Sequence, residues 1–169
     1  MKVAETDRLA LRWLREDDAA FIRNLVNDPS WIRFIGERNV RSVDEARRYL
    51  RDGPIAMYAR TGFGLYLVEH KETGTPIGIC GLITRDTLED VDLGFAFLPA
   101  SWGQGFAAEA AAAVIEYGRA ALGLSRIVAI VSQDNVRSER LLGKLGFRFE
   151  RCVALQPGGE SLKLYGCAA

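Results

Sequence analysis

Gly103-Gln104-Gly105, with Trp102 before it and Phe106-Ala107-Ala-Glu109 after it, is the densest chemical signal in the chain. Pro99 to Leu122 reads as the end of a strand, a short glycine-bearing loop and an alanine-rich helix. Such a join points several backbone N–H groups and the positive end of a helix at one spot. That spot binds anions, with phosphate the usual one. Gly103 and Gly105 allow a sharp turn and close approach of a ligand, with no Cβ in the way. No Gly-Lys-Ser/Thr follows, so a P-loop is excluded. Gly103-Gln-Gly105-Phe-Ala-Ala108 also spells a loose G-x-G-x-x-A, and Asp134 follows the next strand, as a dinucleotide site requires. Against this, Pro99-Ala-Ser-Trp102 separates strand from glycines, and only one further β-α unit follows. A glycine turn with no ligand is the third alternative, and the loop alone leaves all of them open.

The elements that must position this loop read as one mixed α/β layer fold. Arg8 to Leu14 alternates as a first strand. A helix follows with Phe21, Ile22, Leu25 and Val26 at helical spacing, and Pro29 is expected to stop it. A second helix opens on Ser42 with Glu45 three residues on, a capping-box signature, and is expected to close on Gly53. The middle is β: a hairpin turning at Gly74, then a strand with Val91, Leu93, Phe95 and Phe97 on one side and Asp92, Gly94 and Ala96 on the other. After the glycine loop the long helix ends at Gly123. A nearly continuous apolar run, Arg126 to Ser132, suits a strand buried on both faces. A last helix turns Leu141, Leu142 and Leu145 inward, and two strands close the chain around Pro157-Gly-Gly.

With 169 residues, 49% of them apolar, the chain suits one domain over 1–169 with a proper core. Twenty-two cations balance 22 anions, which argues against a nucleic-acid partner. No apolar run is long enough for a membrane span and no signal peptide is evident, so a cytoplasmic protein is expected. Three cysteines, Cys80, Cys152 and Cys167, show no metal-knuckle spacing, and a single histidine, His70, leaves no two-His metal site. No metal is expected. Cys80 reads as a small core residue, and His70 as a surface histidine.

A second constellation completes the pattern. In order, the chain carries Asp92-Leu-Gly94-Phe95, Trp102-Gly-Gln-Gly105-Phe106-Ala107-Ala-Glu109-Ala110, Asn135-Val-Arg-Ser138 and Leu145-Gly146-Phe147. These motifs, at this spacing, resemble the GNAT N-acetyltransferase superfamily, and within it the RimJ/RimL-like branch of ribosomal-protein N-terminal alanine acetyltransferases. The resemblance covers nearly the whole chain. It implies a three-layer fold with a central, mostly antiparallel mixed sheet of about seven strands and helices on both faces. It implies acetyl-CoA as cosubstrate, with the loop Trp102, Gly103, Gln104, Gly105, Phe106 and Ala107 holding the pyrophosphate on backbone N–H groups. The family's loop commonly starts with Gln or Arg where this chain has Trp102.

Acetyl transfer to an amine needs a polarised thioester carbonyl, a neutral amine and a stabilised leaving thiolate. The resemblance implies that the Asp92 strand and the Arg126–Ser132 strand splay around the pantetheine, so that a backbone N–H near Phe95 or Phe97 faces the carbonyl oxygen. Ser138, one turn after Asn135 at a helix N-terminus, is the candidate acid toward the thiolate. Many superfamily members use a tyrosine further along this helix, where this chain has Leu142. Asn135 contacts the coenzyme or simply caps its helix. Asp92 is the first candidate base and Glu150 the second; a structural carboxylate paired with an arginine is an equal alternative for Asp92. Glu109 reads as structural. By resemblance the acceptor groove lies on the first two helices and their linker, where Trp31, Phe34 and Ile35 line it or lie in the core. Arg33, Arg38 and Arg41 favour an acidic acceptor or form a solvated face. The expected acceptor is an amine, either a peptide N-terminus or a small molecule. No nucleic acid or membrane partner is expected, and the chain is a monomer or homodimer. A non-catalytic acyl-CoA-binding module and a dinucleotide-binding protein are the competing readings.

Overall fold

Eight strands form one sheet in the order β1-β2-β3-β4-β5-β6-β8-β7 in a computed structural model that describes residues 1–169. The strands are β1 (Lys2–Glu5), β2 (Leu9–Trp13), β3 (Leu65–His70), β4 (Thr75–Ile83), β5 (Asp92–Phe97), β6 (Arg126–Val131), β7 (Arg148–Val153) and β8 (Leu162–Ala168). Every neighbouring pair is antiparallel except β5 with β6. This is the mixed sheet that the sequence implies, with an eighth strand added at its edge. β1 is too short and too exposed for a periodic signal, and it exists because β2 offers it an edge, Lys2 opposite Arg12.

Strand alternation builds two cores, one on each face of the sheet. In β3, Tyr66 and Val68 point to one and Leu67 to the other; in β4, Cys80 and Leu82 oppose Ile79 in the same way. The larger core lies under α5 (Phe106–Leu122) and takes Leu142 from α6 (Val136–Lys144). Cys80 is fully buried there, as its apolar surroundings predict. The second core lies under α1 (Ala19–Val26) and α3 (Val43–Leu50). No helix is long and apolar enough to cross a membrane.

Two helix ends differ from the sequence expectation. Pro29 begins a helix, α2 (Pro29–Phe34), because Asp28 caps it by accepting from the Ser30 N–H at 2.9 Å, and a first-turn proline needs no N–H. Ser42 caps α3 as expected, accepting from Glu45 N at 3.0 Å. Gly53 does not end that helix. A wide turn, Arg51–Ile55, carries the chain through Gly53 and Pro54 into α4 (Ala56–Thr61), which stops at Gly62 with φ +81°. Pro54 has no N–H to give, and the widened turn absorbs the missing bond. Tyr58 of α4 then anchors the segment, accepting from Leu14 N at 2.9 Å and stacking on Trp13 at 4.5 Å. Of the three leucines assigned inward on α6, only Leu142 is fully buried; Leu141 and Leu145 are half-buried.

His70 is half-buried rather than a surface residue, its ring edge-on to Phe106 at 5.8 Å. It sits beside a network that fixes the start of α5. Glu109 takes the Arg8 guanidinium at 2.6 Å and 2.7 Å, the Arg8 N–H at 3.1 Å and the Thr6 hydroxyl at 2.5 Å. Partial burial alone would raise its carboxyl, but these donors hold it below the usual carboxylate range. Arg8 also donates to the Gln104 carbonyl at 2.8 Å, so one guanidinium ties the β1–β2 turn to both helix and glycine loop. Glu109→Ala should therefore cost about 2 kcal/mol in chemical denaturation. A variant as stable as the parent would show that this network does not hold the loop.

Candidate active site

β5 pairs with β4 along its whole length, from Asp92 opposite Ile83 to Phe97 opposite Gly78, but meets β6 at one pair only, Asp92 and Val128. Val128 N–H donates to Val91 O at 2.9 Å, and beyond that point the two strands part. Leu98 N–H donates to Ile77 O at 3.0 Å, which sets the phase: two residues back at a time, the N–H groups of Ala96 and Gly94 also turn toward β4. Those of Phe95 and Phe97 therefore turn into the gap. The side chains of Phe95 and Phe97 pack toward the α5 core, so these residues offer backbone to the gap. The gap opens into a cleft of about 2100 Å³ that runs from the glycine loop to α2 and α3.

The two strands are parallel, so the helices that follow them, α5 and α6, both start at the wide end of the gap. Gly103 (φ +78°) and Gly105 (φ +80°) adopt the left-handed conformation that admits glycine without strain. Gly105 is the N-cap of α5 and brings no side-chain cap. The first N–H of this helix with an internal acceptor is that of Glu109, at 3.1 Å from Gly105 O. The N–H groups of Phe106, Ala107 and Ala108 are left for a ligand, and all three residues line the cleft. This is a donor nest of the kind a pyrophosphate fits. Trp102 holds its shape by donating Nε1–H to Phe97 O at 2.9 Å. Gln104 departs from the sequence expectation: its side chain folds back to Ala100 O at 3.2 Å and it does not line the cleft.

At the narrow end Asp92 is 1% exposed. Its Oδ2 accepts from Arg85 Nε at 2.8 Å, while its Oδ1 has no hydrogen-bond partner and the residue lines the cleft. Burial pushes the carboxyl up to about 6, against the opposing pull of Arg85 and, more weakly, of the Ile130 backbone N–H. Asp92 thus pairs with an arginine, as the structural alternative has it, and also lines the cleft, where a base would have to stand. Arg85 itself carries no sequence signal; the β4–β5 register brings it there.

Asn135 caps α6, its Oδ1 accepting from Ser138 N at 3.2 Å, so its oxygen serves the helix. Ser138 lines the cleft half-buried, with only its backbone engaged. Leu142, the position of the superfamily tyrosine, is 0% exposed in the core. Glu150 is removed from the site: Arg126 grips it at 2.6 Å and 2.7 Å on the far strands, and it does not line the cleft.

Trp31 and Phe34 do reach the cleft, but Trp31 also fills the α1–α3 core and is 5% exposed. Arg33 stacks on Phe34 at 4.6 Å and pairs with Asp134 at 3.0 Å, joining α2 to the β6–α6 loop. That pairing, and a sheet with one parallel pair, remove the dinucleotide role suggested for Asp134. Arg38 lies over Trp31 at 5.9 Å, while Arg41 turns to Glu37 and Asn27 outside the cleft. Ser132 escaped sequence reasoning altogether; its Oγ and Trp31 Nε1 are buried without partners and belong to cleft-lining residues.

A parallel strand pair that splays over an uncapped, glycine-started helix makes a cleft suited to a phosphate-bearing ligand. Comparison with known proteins agrees: residues 8–148 match the family described as "Acetyltransferase (GNAT) domain". The chain is 34% identical over 149 residues to "Uncharacterized N-acetyltransferase YoaA" of Bacillus subtilis (strain 168), covering 88% of this chain and 84% of that protein. The chain belongs to the GNAT acetyltransferase family. Solved structures share the fold at lower identity. An acetyltransferase from Agrobacterium tumefaciens superposes with a TM-score of 0.82 at 24% identity, over 99% of this chain and 94% of that one. RimL, a ribosomal L7/L12 alpha-N-protein acetyltransferase in complex with coenzyme A, superposes with a TM-score of 0.83 at 18% identity, over 99% and 98%.

Asp92 binds its proton more tightly in the folded chain than at its ordinary value of 3.8. Its contribution to stability is complete below that value and is lost as pH rises through about 6. Asp92→Asn removes the titration while keeping the shape. The stability of the variant relative to the parent, from urea melts at about pH 4 and about pH 7, should shift in the variant's favour by up to about 3 kcal/mol. A difference that stays flat would mean that the carboxylate is not held in a dry site.

Proposed function

We propose that this chain, acting as one domain, moves the acetyl group of acetyl-CoA directly to a primary amine, a protein N-terminus or a small-molecule amine, in a ternary complex. The observation that carries this is the gap between β5 and β6, with its unpaired N–H groups and the uncapped start of α5 at its wide end. The coenzyme-bound RimL fold supports it, as does the family to which the chain belongs.

The coenzyme, when bound, supplies an acetyl thioester whose sulfur is the leaving group. The N–H groups of Phe106, Ala107 and Ala108 hold its pyrophosphate, and the open edge of β5 holds its pantetheine. The N–H of Phe95 or Phe97 donates to the thioester carbonyl oxygen, where negative charge grows. Asp92 Oδ1 takes the proton from the acceptor ammonium through water, and does so in its ionised form, which prevails above about pH 6. Arg85 keeps that ionised form available in a dry site. Ser138 Oγ donates to the departing thiolate, with the α6 dipole favouring the negative charge. Trp31 and Phe34 form the wall against which the acceptor lies, and fixing both reactants in one geometry supplies much of the rate.

At a hundredfold excess over its dissociation constant, acetyl-CoA should stabilise the chain by about 2.7 kcal/mol, a rise of roughly 5–10 °C in the thermal midpoint. Free thiol should then appear with at least one amine in a panel of peptide N-termini, polyamines and amino sugars. A midpoint that responds to NAD and not to acetyl-CoA would overturn the proposal; binding without thiol release from any amine would leave an acyl-CoA-binding module instead. Ser138→Ala should lower kcat by about a hundredfold with little change in coenzyme affinity. Full turnover in that variant removes Ser138 from the acid role.

A further inference from the structure

The transfer chemistry uses one nitrogen of Arg85 and leaves the rest of its guanidinium unassigned. Of the arginines that line the cleft, Arg33 and Arg85 are ion-paired. Arg33 meets Asp134, which is largely exposed, whereas Arg85 meets the buried Asp92. An exposed pair is weak and mobile, while a buried carboxylate fixes the guanidinium that it holds. The bond runs through Nε alone, at 2.8 Å to Asp92 Oδ2. A guanidinium has five N–H donors and no acceptor, so its two terminal nitrogens remain. They donate to no protein atom, and the side chain is 33% exposed on the cleft. The strand register explains this placement. β4 ends at Ile83, directly opposite Asp92, and Arg85 reaches back from the turn that follows. It cannot swing away without leaving a buried charge unpaired.

The narrow end of the gap is where the acceptor amine stands when Asp92 Oδ1 takes its proton through water. Two hydrogen bonds in series put that amine about 5 Å from the carboxylate, with the guanidinium on the other oxygen. A fixed cation this close disfavours a second ammonium beside the reacting one. It also presents donors that an acceptor must match, because a site built to hydrogen-bond a substrate rejects the analogue that lacks the partner atom. Polyamines bring only further cations. A carbonyl attached to the carbon that bears the amine brings an oxygen to the right place. We propose that Arg85 selects the acceptor, donating from its terminal nitrogens to the oxygen of such a carbonyl or carboxylate. The acceptor class is then the α-amino acyl compound, a free amino acid or a peptide N-terminus. This deepens the acetyl-transfer reading above and rests on it.

The test measures kcat/KM, per neutral amine, for two sets of acceptors with saturating acetyl-CoA. One set holds L-alanine, L-alaninamide, trialanine and longer peptides; the other holds sec-butylamine and polyamines, which carry no oxygen. The best acceptor of the first set should exceed the best of the second by about tenfold to a hundredfold. In Arg85→Gln this ratio should fall toward one, and in Arg85→Lys, which keeps a cation on Asp92 without the fork, it should fall several-fold. The ratio is read within a single protein, so a loss of stability or of Asp92 basicity divides out. A parent that transfers equally well, or better, to the oxygen-free set overturns the inference, and needs no variant to fold. So does a preference that survives unchanged in both variants. Thermal stabilisation by acetyl-CoA with no thiol release from either set defeats the transfer reading itself, a result distinct from the other two.

Discussion

One ladder pair, Asp92 with Val128, is all the strand pairing that joins the two halves of the sheet. On one side of it lies an antiparallel run, β1 to β5, and on the other β6, β8 and β7. Because β5 and β6 are parallel, the chain must cross between them, and it does so through α5 on one face. Because they splay, the peptide groups on the facing edge of β5 lack strand partners beyond that pair. Unpaired backbone inside a protein is costly, so such an edge persists where a ligand or water completes it. The parallel direction also brings two helix N-termini to the open end. The gap, the donor nest and the position of Ser138 thus follow from one local failure of strands to pair.

Two carboxylates show how the same chemical group is set to different tasks. Glu109 is surrounded by donors from Thr6 and Arg8 and its carboxyl is held low, which makes it a fixed anion that organises the loop. Asp92 is buried with a single cation on one oxygen and no hydrogen bond of normal geometry on the other, and its carboxyl is pushed up to about 6. A group in the first state is a strut; a group in the second can exchange a proton near neutral pH. Both face arginines, so the pairing alone does not distinguish them. What differs is the number of donors against the depth of burial.

The division of charge along the cleft follows the same economy of means. Backbone donors at α5, a hydroxyl at the start of α6 and cations further along α6 form successive polar stations on apolar walls. At the other end Trp31 spans both core and cleft, so the acceptor wall is continuous with the packing that supports it. The Arg33–Asp134 pair joins this wall to the β6–α6 loop, though both side chains are largely exposed and the pair adds little stability of its own.

Much of this was legible in the sequence because its causes are local. Left-handed glycines at 103, 105 and 123, the caps at Ser42 and Asn135, and the alternation in β5 each depend on residues within a turn or two. The order and spacing of the motifs sufficed for the family. Local signals also misled, once where an adjacent cap overrode them and once where a distant partner did. Pro29 and Gly53 read as stops, yet Asp28 turned one into a start, and Tyr58, docked on Trp13, carried the chain past the other. The tertiary structure alone decided that Arg85 meets Asp92, that Arg8 reaches Glu109 across 101 positions, that Gln104 folds away and that Glu150 belongs to Arg126. Periodicity and capping are properties of neighbouring residues, written in any stretch of chain. Which carboxylate is dry, and which arginine stands beside it, is set by how the strands cross and where they fail to pair.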